Sequence, residues 1–318
     1  METITFTCET ITPMFLSGAD GTTPELRPPS IKGALRFWWR AMNGDLELEE
    51  LKKQEDELFG GTEGRSKVLI RVKMLDKLIS RKSIKSLRNQ SLTYMTYGAE
   101  ERSYFDVGTK FQIIFTIREH NTEKYLIIKQ ELKKSFSLLT HLGGLGAKSR
   151  NGFGAFVCEQ VDDFETIIKY ENFKNEKNPL FSAITNKTEI YQSQNIFDDW
   201  QEAITELKNL YADNVKKSIY PKNNRKYIAA PYKNIPIPAR HAKLHLMSLT
   251  KIDDDKMIYI ITYLPYNYMQ MYEGLNTNDI QVHNKNWESV ANSFNQSLEG
   301  AKNPNDYFFV NFTFKENE

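Results

Sequence analysis

Alternating apolar and polar positions mark the strands of the first half of the chain, and helical spacing marks its helices. The alternation predicts four strands, at residues 2–9, 67–75, 110–118 and 154–161. Apolar positions spaced by three and four predict helices at about 30–42, 47–59 and 123–141. The resulting β-α-β-β-α-β order, with an extra helix and a long irregular insert at 76–107, predicts a ferredoxin-like split βαβ arrangement.

The second half shows a similar order of elements. A segment rich in Lys and Asn, at 169–188, has the composition of a linker or surface loop. The elements predicted after it are a helix at 196–218, a hairpin of 244–252 and 257–264, a helix at 287–298 and a strand at 307–314. This order matches the first half if an opening strand lies within 164–192. We therefore predict an α+β protein of two tandem ferredoxin-like (βαββαβ) domains, 1–162 and 163–318, of which the second is degenerate.

Composition narrows the class of protein. At 318 residues with 40% hydrophobic residues, the chain can build real cores, which excludes a disordered tail protein. No apolar run approaches the ~18 residues of a membrane span, and the start, METITFTCET, lacks the layout of a signal peptide. We expect a cytoplasmic protein with no membrane partner. Cys8 and Cys158 are too few for a disulfide scaffold and are interpreted as buried thiols.

Charge is balanced in total but not along the sequence. The 42 basic and 41 acidic residues give a net charge of +1, so any nucleic-acid surface must be local. Nine basic residues and no acid lie between 214 and 252, and nine basic residues against one acid lie between 64 and 99. Acidic residues gather instead at 45–57 and 198–206. Two opposed faces are indicated, of which the basic one suits phosphates.

The segment 26–42, LRPPSIKGALRFWWRAM, predicts a helix with a basic ridge. Two prolines and a capping Ser30 place its start near Ile31. Gly33 beside the ridge permits close approach of a ligand, and nothing acidic is expected to offset the basic charges. An ordinary solvated face is the alternative, but neighbouring Trp and Phe residues on which bases can stack favour an RNA backbone. The basic side chains recur every four residues, at Lys32, Arg36 and Arg40.

The segment 142–156, LGGLGAKSRNGFGAF, is dense in glycine and lies between a helix and a strand. Such a loop can turn backbone N–H groups outward into an anion-binding nest, unless it is merely a flexible connection. It has neither the spacing of a Walker A loop nor the position of a dinucleotide fingerprint. Its expected phosphate donors are the glycines and the polar tip, Lys148, Ser149 and Arg150.

The acid-free segment 214–252 interleaves basic residues with aromatic ones. Phosphates held by charge and bases held by stacking, at roughly 1–3 kcal/mol each, would suit single-stranded RNA. Four prolines predict an extended loop, and a disordered basic linker is the alternative. The aromatic members are Tyr220, Tyr227, Tyr232 and His241.

The stretches 25–42, 59–72 and 142–156, taken together and in this order, resemble the RAMP superfamily, and within it the Cmr1-type subunits of type III-B CRISPR (Cmr) effector complexes. The resemblance covers about residues 1–160. It is weaker in the second half, where 236–249, PIPARHAKLHLMSL, has Ala242–Lys243 in place of the usual Ser-Pro. What it implies is two tandem ferredoxin-like domains in a cofactor-free, non-catalytic subunit near the 3′ region of the CRISPR guide RNA. Such a subunit helps to capture target single-stranded RNA and contacts other Cmr subunits. It is expected to be non-catalytic, because target cleavage in this family belongs to a different subunit.

The resemblance also implies a set of RNA-binding residues. In the helix these are Arg27, Lys32, Arg36 and Arg40. In the loop they are Gly143, Gly144, Gly146, Lys148, Ser149, Arg150, Gly152 and Gly154, followed in the second half by Arg240 and Lys243. Two further RNA-binding candidates follow from the residues alone. Gly33 permits close approach of the RNA, and His241 can stack on a base.

The alternative function is a metal-independent endoribonuclease that processes guide RNA, with His241 as the general base. Its partner at the fourth position, His245, lies on a predicted strand, and zinc ligands of usable spacing are lacking. His141 is interpreted as a helix cap, and residues 253–255, DDD, as a hairpin turn. In processing enzymes of the superfamily the glycine-rich loop falls near the chain end, which disfavours this alternative. A purely scaffolding subunit would leave the two basic stretches unexplained.

Overall fold

A four-stranded antiparallel sheet organises the first half of the chain. The computed structural model describes residues 2–62, 64–75, 80–159, 180–215, 243–253, 255–266 and 277–298. The first half contains β1 (Glu2–Thr10), α1 (Pro28–Met42), α2 (Leu48–Phe59), β2 (Val68–Met74), β3 (Ser80–Arg81), α3 (Gln90–Met95), β4 (Tyr104–Phe105), β5 (Lys110–Ile117), α4 (Thr122–Leu142) and β6 (Phe156–Glu159). The β-α-β-β-α-β order predicted for this half is confirmed.

The strand order of this sheet is β2-β5-β1-β6, with every neighbouring pair antiparallel. Alternate residues of β1, among them Ile4, Phe6 and Cys8, are buried, as the alternation predicts. The Phe6 ring lies 4.5 Å from that of Phe136 on α4, so this helix covers the buried face. Cys8 faces Cys158 across β1 and β6 with 3.3 Å between the sulfur atoms. Neither sulfur is in a disulfide, and Cys8 is fully buried while Cys158 is partly so.

The insert between β2 and β5 is more regular than predicted. Besides α3 it holds a 3-10 turn, Ile84–Leu87, and the two-stranded pairing of β3 with β4. Its apolar side chains Ile84, Leu92 and Met95 are buried together with residues of the second half. Tertiary packing, which the local sequence pattern does not report, therefore orders this segment.

The second half contains β7 (Glu189–Gln192), α5 (Trp200–Lys208), β8 (His245–Asp253), β9 (Lys256–Tyr263) and α6 (Thr277–Leu298). Its sheet has the order β7-β9-β8, and β7 is the opening strand expected within 164–192. The helix predicted at 196–218 begins later and ends in a π-helical turn, Asn209–Val215, and α6 begins ten residues before the predicted 287. The strand predicted at 307–314 lies outside the described residues, so the tandem arrangement stays a prediction.

Burial and a hydrogen bond tie the start of the second half to the first more closely than a linker would. The segment predicted as a surface loop at 169–188 is described from 180 onward, where Ala183, Ile184 and Thr185 are buried. The Ile184 N–H donates to the Ala41 carbonyl at 2.8 Å, which fixes the segment against α1. The surface-loop expectation is wrong for these residues.

Among the described residues, no helix has both the length and the apolar character that crossing a bilayer requires.

Candidate nucleic-acid interface

Helix α1 begins earlier than the sequence suggested. It starts at Pro28, with Arg27 as its N-cap residue and no side-chain cap, so the expected capping role of Ser30 is wrong. The two prolines explain the start, because proline supplies a helical φ at the first positions, where no N–H partner is needed. The face that α1 buries consists of Ile31, Leu35, Trp38, Trp39 and Ala41.

The basic ridge of α1 is neutralised by α2. Glu55 accepts from Arg36 Nε at 2.5 Å and from Arg40 Nη1 at 2.6 Å. Asp56 lies 3.6 Å from Arg36, and Lys32 Nζ donates to the Phe59 carbonyl at 3.1 Å. The expectation that nothing acidic offsets the ridge is therefore wrong. The last turns of α2 lie beside α1 and supply carboxylates that are distant in sequence.

The stacking surface expected beside this ridge is also mostly buried. Trp38 and Trp39 are packed in the core and present no face to a base. Phe37 is only partly buried, and the Arg150 guanidinium lies 5.0 Å from the centre of its ring. Contacts of this kind hold a planar cation against an aromatic face. Phe37 therefore links α1 to the tip of the glycine-rich loop.

The start of α1 remains open. Gly33 is exposed, and a side chain added there would meet no atom within 4 Å. Burial lowers the pKa of Lys32, and the nearby charges of Arg36 and Arg118 lower it further. Arg27, at the N-cap, is partly buried. This end of the helix keeps the open space that the sequence predicted, although its lysine is held by a carbonyl.

The glycines of the loop 142–156 are required by packing within the protein. A Cβ on Gly154 (φ +72°) would lie 1.9 Å from the Leu145 carbonyl oxygen, and one on Gly146 (φ +86°) would lie 2.4 Å from that of Phe15. A Cβ on Gly143, Gly144 or Gly152 would also collide with protein atoms, at 2.5–2.9 Å. These glycines thus permit close approach of other segments of the same chain.

Several loop amides are also used internally, against the prediction of a nest whose N–H groups point outward. The N–H groups of Leu145, Ala147, Gly152 and Gly154 donate to main-chain carbonyls at 2.8–2.9 Å. The Gly152 acceptor is the Met247 carbonyl in β8, so the loop is tied to the second half. The prediction of phosphate binding at this loop is therefore restricted to its tip, because the glycines serve internal contacts.

The tip, Lys148 to Arg150, is partly exposed and gathers charge from separate stretches. Lys148 adopts a left-handed φ of +66° and its Nζ donates to the Tyr97 carbonyl at 2.6 Å. Lys243, at the start of β8, donates to Asn151 Oδ1 at 3.1 Å and lies 4.1 Å from the centre of the Tyr211 ring. The structure therefore brings the loop tip, Phe37 of α1 and Lys243 into one surface, which we call the loop-tip surface.

Burial lowers the pKa of both cations at the tip. For Lys148 the effect of burial is opposed by Glu100 and reinforced by Arg102. For Arg150 burial is again the main cause, and Tyr266 opposes it. A partly desolvated cation gains free energy from an anionic partner, because water no longer solvates it fully. The tip is suited to binding phosphate.

His241, the proposed general base, and Arg240 lie outside the described residues. His245 is buried in β8 and hydrogen-bonds to Asn295 at 2.8 Å, and burial lowers its pKa to about 3. That His245 and His241 share a face stays a prediction. His141 is partly buried and donates to the Ser137 carbonyl at 2.6 Å, and desolvation lowers its pKa to about 3, which agrees with the cap role predicted for it.

Metal chemistry finds no support in the part of the chain that the structure describes. No group of three His, Cys, Asp or Glu side chains there could hold a metal ion. Asp253 and Asp255 flank the turn between β8 and β9, as predicted. Sequence reasoning missed two residues that adjoin this surface, Tyr97 and Tyr211. The available signal for Tyr97 was its position in a stretch with nine basic residues.

The comparisons with known proteins agree with this architecture. The family model of the RAMP superfamily matches residues 7–157. The CRISPR system Cmr subunit Cmr1-2 of Pyrococcus furiosus is 29% identical over 49% of this chain and 95% of its own length. Subunit Cmr1-1 of the same organism is 32% identical, over 42% of this chain and 40% of its own length.

Solved structures show the same fold over most of the chain. The crystal structure of Cmr1 from Pyrococcus furiosus matches with a TM-score of 0.60 at 18% identity, covering 94% of this chain and 98% of that one. A chain of the type III-B Cmr-beta complex bound to cognate target RNA matches with a TM-score of 0.56 at 13% identity, covering 91% and 99%. Residues 7–157, just under half of the chain, thus match the RAMP superfamily, and the chain is similar to Cmr1 subunits in sequence and in fold.

Proposed function

We propose that the chain is a non-catalytic, RNA-binding subunit of a type III-B CRISPR effector complex in the cytoplasm. It holds the 3′ region of the guide RNA, helps to capture target RNA and contacts other Cmr subunits. Support comes from the two relatives, which are Cmr subunits by name, and from the fold match to a chain of an RNA-bound Cmr complex. The loop-tip surface supplies the chemistry that such a role requires.

The observation that carries this proposal is the environment of Arg150. Its guanidinium is desolvated enough to lower its pKa and packs on Phe37. Within the described parts of the chain, no carboxylate forms an ion pair with Arg150 or Lys148, in contrast to Arg36 and Arg40. An RNA phosphate is the partner that would compensate both cations, since Arg pairs well with phosphate oxygens. The remaining candidates, including Arg27, Lys32 and Gly33, stay predictions.

RNA binding is tested by fluorescence anisotropy with a labelled single-stranded RNA carrying a guide 3′ sequence, at several salt concentrations. We expect Arg150→Glu to weaken binding about tenfold and to reduce the salt slope by about 0.7, the loss of one phosphate contact. Lys124→Glu is the matched control, because Lys124 is exposed at the start of α4. Equal losses in both variants would show that total charge, not the loop-tip surface, determines binding.

The absence of catalysis is tested separately with repeat RNA in EDTA. The general base of the alternative endoribonuclease is His241, while desolvation lowers the pKa of two other histidines, His141 and His245, to about 3. Binding without cleavage supports the proposal. Cleavage at a defined position in EDTA, abolished in His241→Ala, would establish the endoribonuclease instead.

We also propose that the second half repeats the ferredoxin-like arrangement of the first, with domains 1–162 and 163–318. The strand order β7-β9-β8 repeats the order β1-β5-β2 of the first half. A strand at 307–314 would then pair with β7 as β6 pairs with β1. Hydrogen exchange tests this pairing, since amides of 307–314 should be protected as well as those of β7.

A further inference from the structure

The largest exposed aromatic surface near the loop tip lies at the end of α3. Tyr97 is 80% exposed, the highest value among the large hydrophobic residues described, and Tyr94 is 42% exposed. Beside Tyr97, Gly98 has a left-handed φ of +81° and no atom within 4 Å of where a Cβ would stand. An exposed aromatic face with free space beside it is a feature of surfaces on which bases stack.

The loop tip holds this aromatic end of α3 in place. Lys148 Nζ donates to the Tyr97 carbonyl at 2.6 Å, and Asn151 Nδ2 donates to the Met95 carbonyl at 2.9 Å. Asn151 in turn accepts from Lys243 at 3.1 Å. The backbone at Tyr97 is therefore held by side chains of the loop-tip surface, which keeps this residue next to Lys148. A fixed backbone leaves only the side chain to be ordered when a base stacks on it.

The surroundings of the ring are suited to a phosphate. Arg102 lies close enough to Lys148 to lower its pKa, and Lys208 Nζ lies 6.0 Å from the centre of the Tyr94 ring. Glu100 raises the Lys148 pKa, and Glu101 is engaged by Lys85 at 2.5 Å. The end of α3 thus has Lys148 beside the Tyr97 backbone and Lys208 beside the Tyr94 ring. The combination of an aromatic face with adjacent cations matches one unit of a single-stranded nucleic acid.

We propose that Tyr97 is a stacking platform for one nucleobase of single-stranded RNA, with Lys148 and Arg102 beside the flanking phosphate. This inference rests on the proposed RNA-binding function and adds a residue outside the helix and loop motifs. Stacking on a ring tolerates any base, because every base has a π face. The platform therefore contributes affinity without sequence preference.

The test compares Tyr97→Ala, Tyr97→Phe and Tyr97→Trp in anisotropy with the RNA described above. Stacking worth about 1–3 kcal/mol predicts that Tyr97→Ala binds about 5- to 150-fold more weakly. Tyr97→Phe and Tyr97→Trp should keep wild-type affinity, because the aromatic face is retained. The salt slope should not change in Tyr97→Ala, whereas it falls in Arg150→Glu. Leu126→Ala, a variant of a residue 57% exposed on α4, is the control.

The outcomes separate this inference from the proposed function. Failure of the wild-type protein and of its complex to bind RNA would overturn the proposed function. RNA binding that is equal in wild type and Tyr97→Ala would overturn the platform alone. An unchanged RNA affinity with weaker assembly into the Cmr complex would assign Tyr97 to a protein contact and would also overturn the platform. Equal circular dichroism and melting temperature in all variants exclude unfolding as the cause.

Discussion

Replacing Glu55 by glutamine should destabilise the first half of the chain. The Glu55 side chain is 7% exposed and accepts hydrogen bonds from Arg36 and Arg40, which are 31% and 36% exposed. Glutamine keeps the volume but removes the charge that both guanidinium groups require. A hydrogen bond to a charged group contributes about 1.5–3 kcal/mol, and partial hydration of the arginines recovers some of the loss. We expect a net loss of about 2–3 kcal/mol.

Urea and thermal unfolding measure this loss. At about 2–4 °C per kcal/mol, the melting temperature should fall by roughly 4–12 °C. Glu57→Gln is the matched control, because Glu57 lies on the same helix but is exposed. If both variants unfold alike, Glu55 does not hold α1 and α2 together, and the basic ridge would again be open to RNA. For the same reason, reversing both arginines to glutamate would place three carboxylates together and would test stability rather than RNA binding.

Three further predictions follow from packing, pH and redox chemistry. Gly154→Ala should destabilise by about 3 kcal/mol or more, through left-handed strain and overlap with a carbonyl, while Gly33→Ala in open helix should stabilise by about 0.5–1 kcal/mol in the same unfolding assay. The hydrogen bond from Lys67 is the largest of the causes that lower the pKa of Glu119 from 4.5 to about 2. Ionised Glu119 therefore stabilises the folded protein above pH 4.5, and this stabilisation should be lost as pH falls from 4.5 towards 2. Acid titration of Lys67→Met should show a smaller loss over that range. Diamide should oxidise the two cysteines to an intramolecular disulfide, because their sulfur atoms are 3.3 Å apart, and mass spectrometry should show the loss of two hydrogens.

Alternation and helical spacing predicted the strands and helices of the first half because each has one buried face. Ile4 and Phe6 in β1, and Leu35 in α1, occupy the buried positions that the pattern gives them. The same reasoning failed for the insert, since α3 is only six residues long and is stabilised by contacts with α5. Helices this short depend on tertiary packing rather than on their own sequence.

The candidate site was predicted in part. The loop tip and Lys243 do meet, as the basic stretches suggested. The neutralisation of Arg36 was missed because its partner Glu55 lies 19 residues further on, in the next helix. A short connection between two helices makes them antiparallel neighbours, so residues equally distant from the connection face each other. Applied to α1 and α2, that rule would have paired Arg36 with Glu55. The packing role of the loop glycines was missed because a glycine required by internal packing and a glycine required for ligand approach look alike in a sequence.

The central claim is that single-stranded RNA contacts the loop-tip surface. Photocrosslinking tests it directly, with 4-thiouridine placed along the RNA and the crosslinked peptides of the protein, within its complex, identified by mass spectrometry. The account predicts crosslinks in peptides containing Tyr97, residues 148–151 and Lys243. Crosslinks confined to other surfaces, with these peptides recovered unmodified, would contradict it.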